Sequence, residues 1–273
     1  MTPTRVTTWD GAAHDAVRRI ATASEAVDGQ SPLNEAAVRL LDRHGLEDAA
    51  LWLADADGYA LLHGEDLDVA VAPAARRHGT GAALVESALA EAGPVVDAWS
   101  HGNHPAAAVL AERFGFTRVR DLWVLRRGTS ALPDAPPPAG FEIRTFRAGD
   151  EAELLRVNAE AFAHHPEQGA MDRADLAERM AEPWFDPDGL LVADTGQGLL
   201  GFHWTKQHSA ELGEVYVVAV DPAAQGRGLG NAVTAAGLAH LTSHGVRRII
   251  LYVESDNEAA IATYSKLGFA HTS

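Results

Sequence analysis

The sequence contains no cysteine. That absence excludes a disulfide framework, thiolate-ligated zinc or iron–sulfur centres, and a cysteine nucleophile. Positive charge is also scarce: 22 Lys and Arg stand against 38 Asp and Glu, a formal net charge of −16. Such a chain lacks the basic footprint that phosphate backbones and anionic lipid surfaces require, so neither nucleic acid nor a membrane is an expected partner. No apolar run reaches the roughly 18 residues of a membrane span. Residues 1–11 have neither the basic nor the apolar region of a secretory leader, and a cytoplasmic protein is expected.

What is present is material for two domains. At roughly 100 to 200 residues per domain, 273 residues with 47% apolar content can bury two cores. The densest run of breakers, Pro133-Asp134-Ala135-Pro136-Pro137-Pro138-Ala139-Gly140, forbids helix and strand ladders and favours an extended spacer. It divides the chain into domains 1–132 and 141–273, with 133–140 as linker.

The halves repeat each other. The segment from Val69 to Gly81 lies over that from Val218 to Gly230 at a constant offset of 149 residues, and Arg113-Phe114-Gly115-Phe116 lies over Lys266-Leu267-Gly268-Phe269 at 153. In the second half the apolar pattern predicts strands over 141–145, 190–193, 199–205, 214–220 and 247–253. Helices are predicted over 150–162, 173–180, 228–244 and 257–267. The same order is expected in the first half, with strands near 49–53, 59–63 and 67–71. This is an α+β arrangement of mixed, mostly antiparallel sheets flanked by helices.

The chemical signal is Gln225-Gly226-Arg227-Gly228-Leu229-Gly230, which follows an apolar strand and opens an apolar helix. Glycines there let an anion approach the unpaired backbone N–H groups of a helix start, which is a phosphate or pyrophosphate cradle. The spacing fits neither G-x-x-x-x-G-K-[ST] nor G-x-G-x-x-G, which argues against nucleoside triphosphate and NAD. It fits Q/R-x-x-G-x-G/A, met by Gln225, Gly228 and Gly230 and again by Arg76, Gly79 and Gly81. Paired histidines at 164–165, 101/104 and 203/208 lack an H-E-x-x-H pattern or a carboxylate-linked spacing, so no metal is expected.

Two copies of this loop, each followed by a helix ending in Gly-Phe, resemble the GNAT acetyltransferases, whose ligand is acetyl-CoA. The resemblance implies two tandem GNAT domains. It places the cofactor on Val218, Ala219 and Val220 of the strand, on the loop Gln225, Gly226, Arg227, Gly228, Leu229, Gly230 and Asn231, and on the last helix at Asn257, Glu258, Ala259, Ala260, Ile261 and Ala262. In the first half the corresponding residues are Val69, Ala70, Val71, Arg77, His78, Gly79, Thr80, Gly81 and Ala82, which leaves a second acetyl-CoA molecule open.

The local strings 163–169, 201–206, 212–218 and 252–257 further resemble the mycothiol acetyltransferases, also called mycothiol synthases. These transfer acetyl to the cysteinyl amine of 1-D-myo-inosityl 2-(L-cysteinylamino)-2-deoxy-glucopyranoside. That resemblance implies Glu214 as general base and Tyr264 as general acid. It implies substrate contacts at Glu35, Glu167, Lys206, Glu214 and Tyr252, Lys206 being one of only two lysines. The counterpart of Tyr264 in the first half is Ala111, which cannot donate a proton, so the first half is expected to be non-catalytic. The second half ends near its Gly-Phe corner and is expected to lack its last strand, which the first half retains over 117–125. A monomer is expected, the tandem supplying its own pairing. A GNAT enzyme for another small amine and a non-catalytic acetyl-CoA-binding protein remain the alternatives.

Overall fold

The computed structural model describes residues 2–271, apart from the side chains of Pro166 and Glu167. The chain packs as two units, 1–118 and 119–273.

The first unit runs β1 (Thr4–Val6), α1 (Gly11–Asp28), α2 (Glu35–Arg43), β2 (Ala49–Ala54), β3 (Gly58–His63), β4 (Asp66–Val71), α3 (Thr80–Leu89) and α4 (Pro105–Phe114). Its four strands pair antiparallel in chain order. Strand alternation splits the core in two. Leu51, Tyr59 and Leu61 meet Val17, Ile20 and Leu41 of α1 and α2, while Trp52, Ala60 and Leu62 meet Leu84, Val85 and Ala88 of α3. The strand expected after α3 is reduced to one parallel bridge, Asp66 with Asp97. Gly93-Pro94 leaves only Val95 and Val96 as an apolar run there, and proline has no N–H for a ladder.

The second unit runs β5 (Leu122–Gly128), β6 (Glu142–Thr145), α5 (Glu151–Ala161), α6 (Pro166–Gly169), α7 (Arg173–Met180), β7 (Leu190–Asp194), β8 (Leu199–Gln207), β9 (Leu212–Val220), α8 (Leu229–Ser243), β10 (Arg248–Glu254), α9 (Glu258–Lys266) and β11 (Ala270–His271). The sheet order is β11-β5-β10-β9-β8-β7-β6. Leu154, Val157 and Leu176 of α5 and α7 pack with Val192, Phe202 and Trp204, and Leu238 and Leu241 of α8 pack with Val215, Ile249 and Leu251.

Two expectations are corrected here. The run that reads as the first half's last strand belongs to the second sheet: β5 pairs antiparallel with β10 from Leu122↔Glu254 to Gly128↔Arg248, and with β11 on its other side. The second sheet therefore has a strand beside β10, drawn from residues before the proline run. Leu125 sits in the core, and the Arg127 guanidinium donates to the Leu267 and Ala131 carbonyls and lies 5.8 Å from the Phe269 ring centre. The boundary accordingly falls at 118/119 and not at 133–140. The proline segment is no free spacer either, since Pro133 to Pro137 line a groove with Ala232, Ala235, Ala236 and Ala239 of α8.

One buried group gives this unit a pH dependence. His203 on β8 is fully buried, its Nδ1 bonded to the Val233 carbonyl at 3.0 Å, in space left because residue 237 of α8 is glycine. Desolvation lowers it from 6.5 to about 4, so the native state keeps it neutral where the unfolded chain protonates it. Stability is then expected to fall as pH drops from about 6.5 towards 4, by on the order of 3 kcal/mol. Urea unfolding of the second unit across that range should show this slope, and His203→Gln should flatten it.

Candidate active site

The strands β9 and β10 run parallel only from Arg248↔Leu212 to Ile250↔Glu214. Beyond that rung β9 continues along β8 and β10 along β5, so the two diverge and, among the described residues, one edge of Val215 to Val220 has no strand partner. Glu214 stands at the vertex of this split. Its side chain is buried, with 7% of the residue exposed, and its cross-strand neighbour on β8 is Lys206.

The loop that follows β9 is shaped by its backbone. Asp221 accepts from Ala223 N at 2.9 Å and from Arg156 at 2.6 Å, which fixes the turn Pro222–Ala224. Gly226 and Gly228 then take φ of +74° and +85°, and α8 opens with no side chain capping it. A Cβ on either glycine would meet nothing within 4 Å, so the loop is open, and among the described residues no side chain caps the start of α8. Leu229 is buried, which turns its side chain away from any ligand and leaves its backbone. The Asn231 Oδ1 atom is buried without a hydrogen-bond partner among the described residues. An unpaired strand edge leading into an uncapped glycine turn fits a ligand with amides followed by a pyrophosphate, which is the chemistry of acetyl-CoA.

At the far side of the split Asn257 caps α9, accepting from Ala260 N at 3.0 Å, and Glu258 to Ala262 form the first turns. Tyr264 packs against the core shared with Val215 and stands edge-on to Phe269 at 5.9 Å. Burial, with no charge contributing, pushes its hydroxyl up to about 12, so it is a protonated donor at neutral pH. Tyr252 on β10 is raised too, by partial burial first and the Glu214 carboxylate second, with Arg126 opposing.

Lys206 is positioned by aromatics. Its ammonium lies 4.5 Å from the Trp184 ring centre and 5.3 Å from that of Tyr216, and Arg179 donates to the Tyr216 hydroxyl at 2.9 Å. The side chain of Glu167 lies outside the described residues. Its helix, α6, is capped by His165, whose Nδ1 accepts from Gln168 N at 3.3 Å. His165 and Arg120 meet Glu254, with Arg120 Nη2 2.6 Å from Glu254 Oε1 and His165 Nε2 3.6 Å from it.

The first unit repeats the cradle turn for turn. Arg77 and Gly79 take φ of +70° and +87°, matching Gly226 and Gly228, and Arg77 does so despite carrying a Cβ. Arg76 is held by Asp28 at 2.7 and 2.8 Å and donates to the Val71 carbonyl. Thr80 and Ala82 are buried and His78 and Gly79 are exposed. Glu35 lies in this unit, in the first turn of α2, 3.4 Å from Arg39. The structure thus brings Glu214, Lys206 and Tyr252 together at one split, and places Glu35 in the other unit.

Sequence reasoning raised His208 only with His203 as a metal pair and missed its place beside Glu214, whose Oε2 lies 2.5 Å from His208 Nε2. The short turn joining β8 to β9 carries that signal, because it returns the chain six residues later beside its own start. It also missed Asp186, His240 and His244, whose ligand-type atoms lie within 4.8 Å of one another. There the His240 Nε2 atom is hydrogen-bonded to Asp186 at 2.8 Å, and the rings of His240 and His244 lie 4.4 Å apart.

Residues 154–269 match the Acetyltransferase (GNAT) family and residues 39–118 match the Acetyltransferase (GNAT) domain. Among solved structures, a GCN5-related N-acetyltransferase from Sphaerobacter thermophilus is 26% identical at a TM-score of 0.69, covering 100% of this chain and 94% of that one. A tandem GNAT protein from the clavulanic acid biosynthesis pathway has a TM-score of 0.65 at 18% identity, covers 99% and 94% respectively, and supports the fold. Fold and site define a tandem GNAT acetyltransferase, a class whose co-substrate is acetyl-CoA. A mycothiol acetyltransferase of Nocardioides sp. is 56% identical over 94% of this chain and 93% of its own length, and one of Nocardia farcinica is 49% identical over 96% and 92%. The chain belongs to the mycothiol acetyltransferase family.

Proposed function

We propose that the protein acetylates the cysteinyl amine of 1-D-myo-inosityl 2-(L-cysteinylamino)-2-deoxy-glucopyranoside, the step that completes mycothiol, as a cytoplasmic monomer and without a metal. The substrate rests on the 56% identity to a mycothiol acetyltransferase along nearly the whole chain. The chemistry rests on one observation above the others, the buried carboxylate of Glu214 at the vertex of the split between β9 and β10.

Acetyl-CoA, when bound, supplies a thioester that an amine can attack. The N–H groups of Gln225 to Asn231 hold its pyrophosphate, and the unpaired edge of Val218 to Val220 holds its amides. Glu214 accepts a proton from the ammonium nucleophile through water, and Tyr264 gives its phenolic proton to the departing sulfur. Lys206 donates to sugar oxygens, and Glu167 and Tyr252 accept hydrogen bonds from the sugar hydroxyls. Purified protein with acetyl-CoA and the cysteinyl glycoside should release CoA and mycothiol in equal amounts. Product with polyamines or aminoglycosides, and none with the glycoside, would reject this substrate.

The first unit, with Ala111 where the second has Tyr264, binds acetyl-CoA without turning it over. Calorimetry is expected to give two equivalents of acetyl-CoA per chain, and Gly79→Asp one, with kcat retained. A single equivalent in the unaltered protein would reject occupancy of the first cradle.

A further inference from the structure

We infer that His208 is the outlet for the proton taken up at Glu214, a positioning residue that acts through the base and does not touch the amine. The inference rests on the reading of Glu214 as general base.

Proton balance calls for an outlet. A primary ammonium carries three N–H bonds and the amide product carries one. Forming the C–N bond and breaking the C–S bond therefore frees two protons. One ends on the sulfur of CoA, and the other must reach water in every turnover. Glu214 is almost wholly buried, so the proton it holds has little direct access to solvent.

The geometry supplies a carrier. His208 Nε2 lies 2.5 Å from Glu214 Oε2, within hydrogen-bond reach, and about a third of the His208 side chain is exposed (33%). Imidazole alone among side chains takes a proton at one nitrogen and releases one from the other near neutral pH. Neither Lys206 nor Tyr252 can do this: Lys206, opposite on β8, has only protons to donate, and the Tyr252 hydroxyl is shifted above its usual range. The ring is anchored at the start of a fixed turn. His208 N donates to the Leu212 carbonyl at 2.9 Å, and Ser209 Oγ accepts from Glu211 N and Leu212 N at 3.2 and 3.1 Å. The step is a shift of protons alone: the carboxyl proton moves to Nε2 while the proton on Nδ1 leaves to water, and the ring returns to its first tautomer by exchange with solvent.

The test uses the full chain. His208→Gln keeps a hydrogen-bond partner for Glu214 but cannot relay, and is expected to lower kcat about tenfold or more with KM for both substrates within about twofold. His208→Ala is expected to behave alike and to regain rate with added imidazole, in proportion to the free-base concentration. In a Glu214→Gln background, His208→Gln should cost nothing further. Unchanged kcat in His208→Gln overturns the relay, as does a loss in His208→Ala that imidazole leaves untouched while thermal melting shifts. Full activity in Glu214→Gln alone removes the base reading itself; an impaired Glu214→Gln beside a normal His208→Gln removes only the relay.

Discussion

Glu214→Gln lowers kcat by about 10²-fold or more at saturating acetyl-CoA, with little change in the protein's affinity for the cofactor, if the carboxylate takes the amine proton. The substitution conserves size and keeps a hydrogen-bonding end, so the split between β9 and β10 should survive it. A neutral glutamine also relieves Tyr252 of a negative neighbour, and the Tyr252 hydroxyl should then titrate lower than in the unaltered protein. Tyr264→Phe is the companion experiment. It removes one oxygen from a ring that packs on the core of the second unit, so melting should barely move while kcat falls. The two variants differ in their response to the leaving group. A thioester with a more acidic thiol needs no proton on departure and should restore Tyr264→Phe towards normal while leaving Glu214→Gln slow. Stopped single turnovers, read as free thiol, measure both. Equal rates for all three proteins would remove the assigned roles and leave the fold untouched.

The glycine turn after β9 was legible in the sequence because local rules dictate it. A glycine at 228 with positive φ, an Asp-Pro turn before it and an apolar helix after it are all set within ten residues. The duplication helped, since Arg77 and Gly79 repeat the same two backbone conformations. Glu214 was legible as the first carboxylate of an apolar strand, though its place at the last paired rung depends on where β10 stops following β9. Pairing between distant segments was not legible. The residues of β5 read as a strand under any topology, because the apolar run Leu122-Trp123-Val124-Leu125 marks a strand and does not name its partner. The same limit hid Arg120, which reaches Glu254 across 134 positions, and the aromatic floor under Lys206, which gathers Trp184 and Tyr216 from two elements. His208 stood closest to being readable, needing only the register of one short hairpin.

The largest structural consequence concerns β5. A fragment starting at Phe141, the boundary that the proline run suggests, would lack the strand lying between β10 and β11 and is expected not to fold. A fragment starting at Val119 carries that strand and is expected to unfold cooperatively. The physical reason is the double role of β5, which satisfies the backbone of β10 on the side away from β9 and fills the core with Leu125. Without it the N–H and C=O groups of Leu251 to Glu254 have no strand on either side, since β9 has already diverged there. The same dependence can be tested in the full chain. Leu125 is 2% exposed, and Leu125→Ala is expected to destabilise the second unit by about 2–5 kcal/mol through a cavity beside Ile249, Leu251 and Phe269. Arg127→Ala removes the donors that hold the Leu267 and Ala131 carbonyls and should loosen the corner after α9, the helix that carries Tyr264. Urea unfolding should therefore place both variants in the transition of the second unit, with the first unit's transition unmoved. Activity should be lost in step with that transition. If Leu125→Ala instead destabilised only the first unit, β5 would belong where the sequence pattern alone had put it, and the sheet order of the second unit would be wrong.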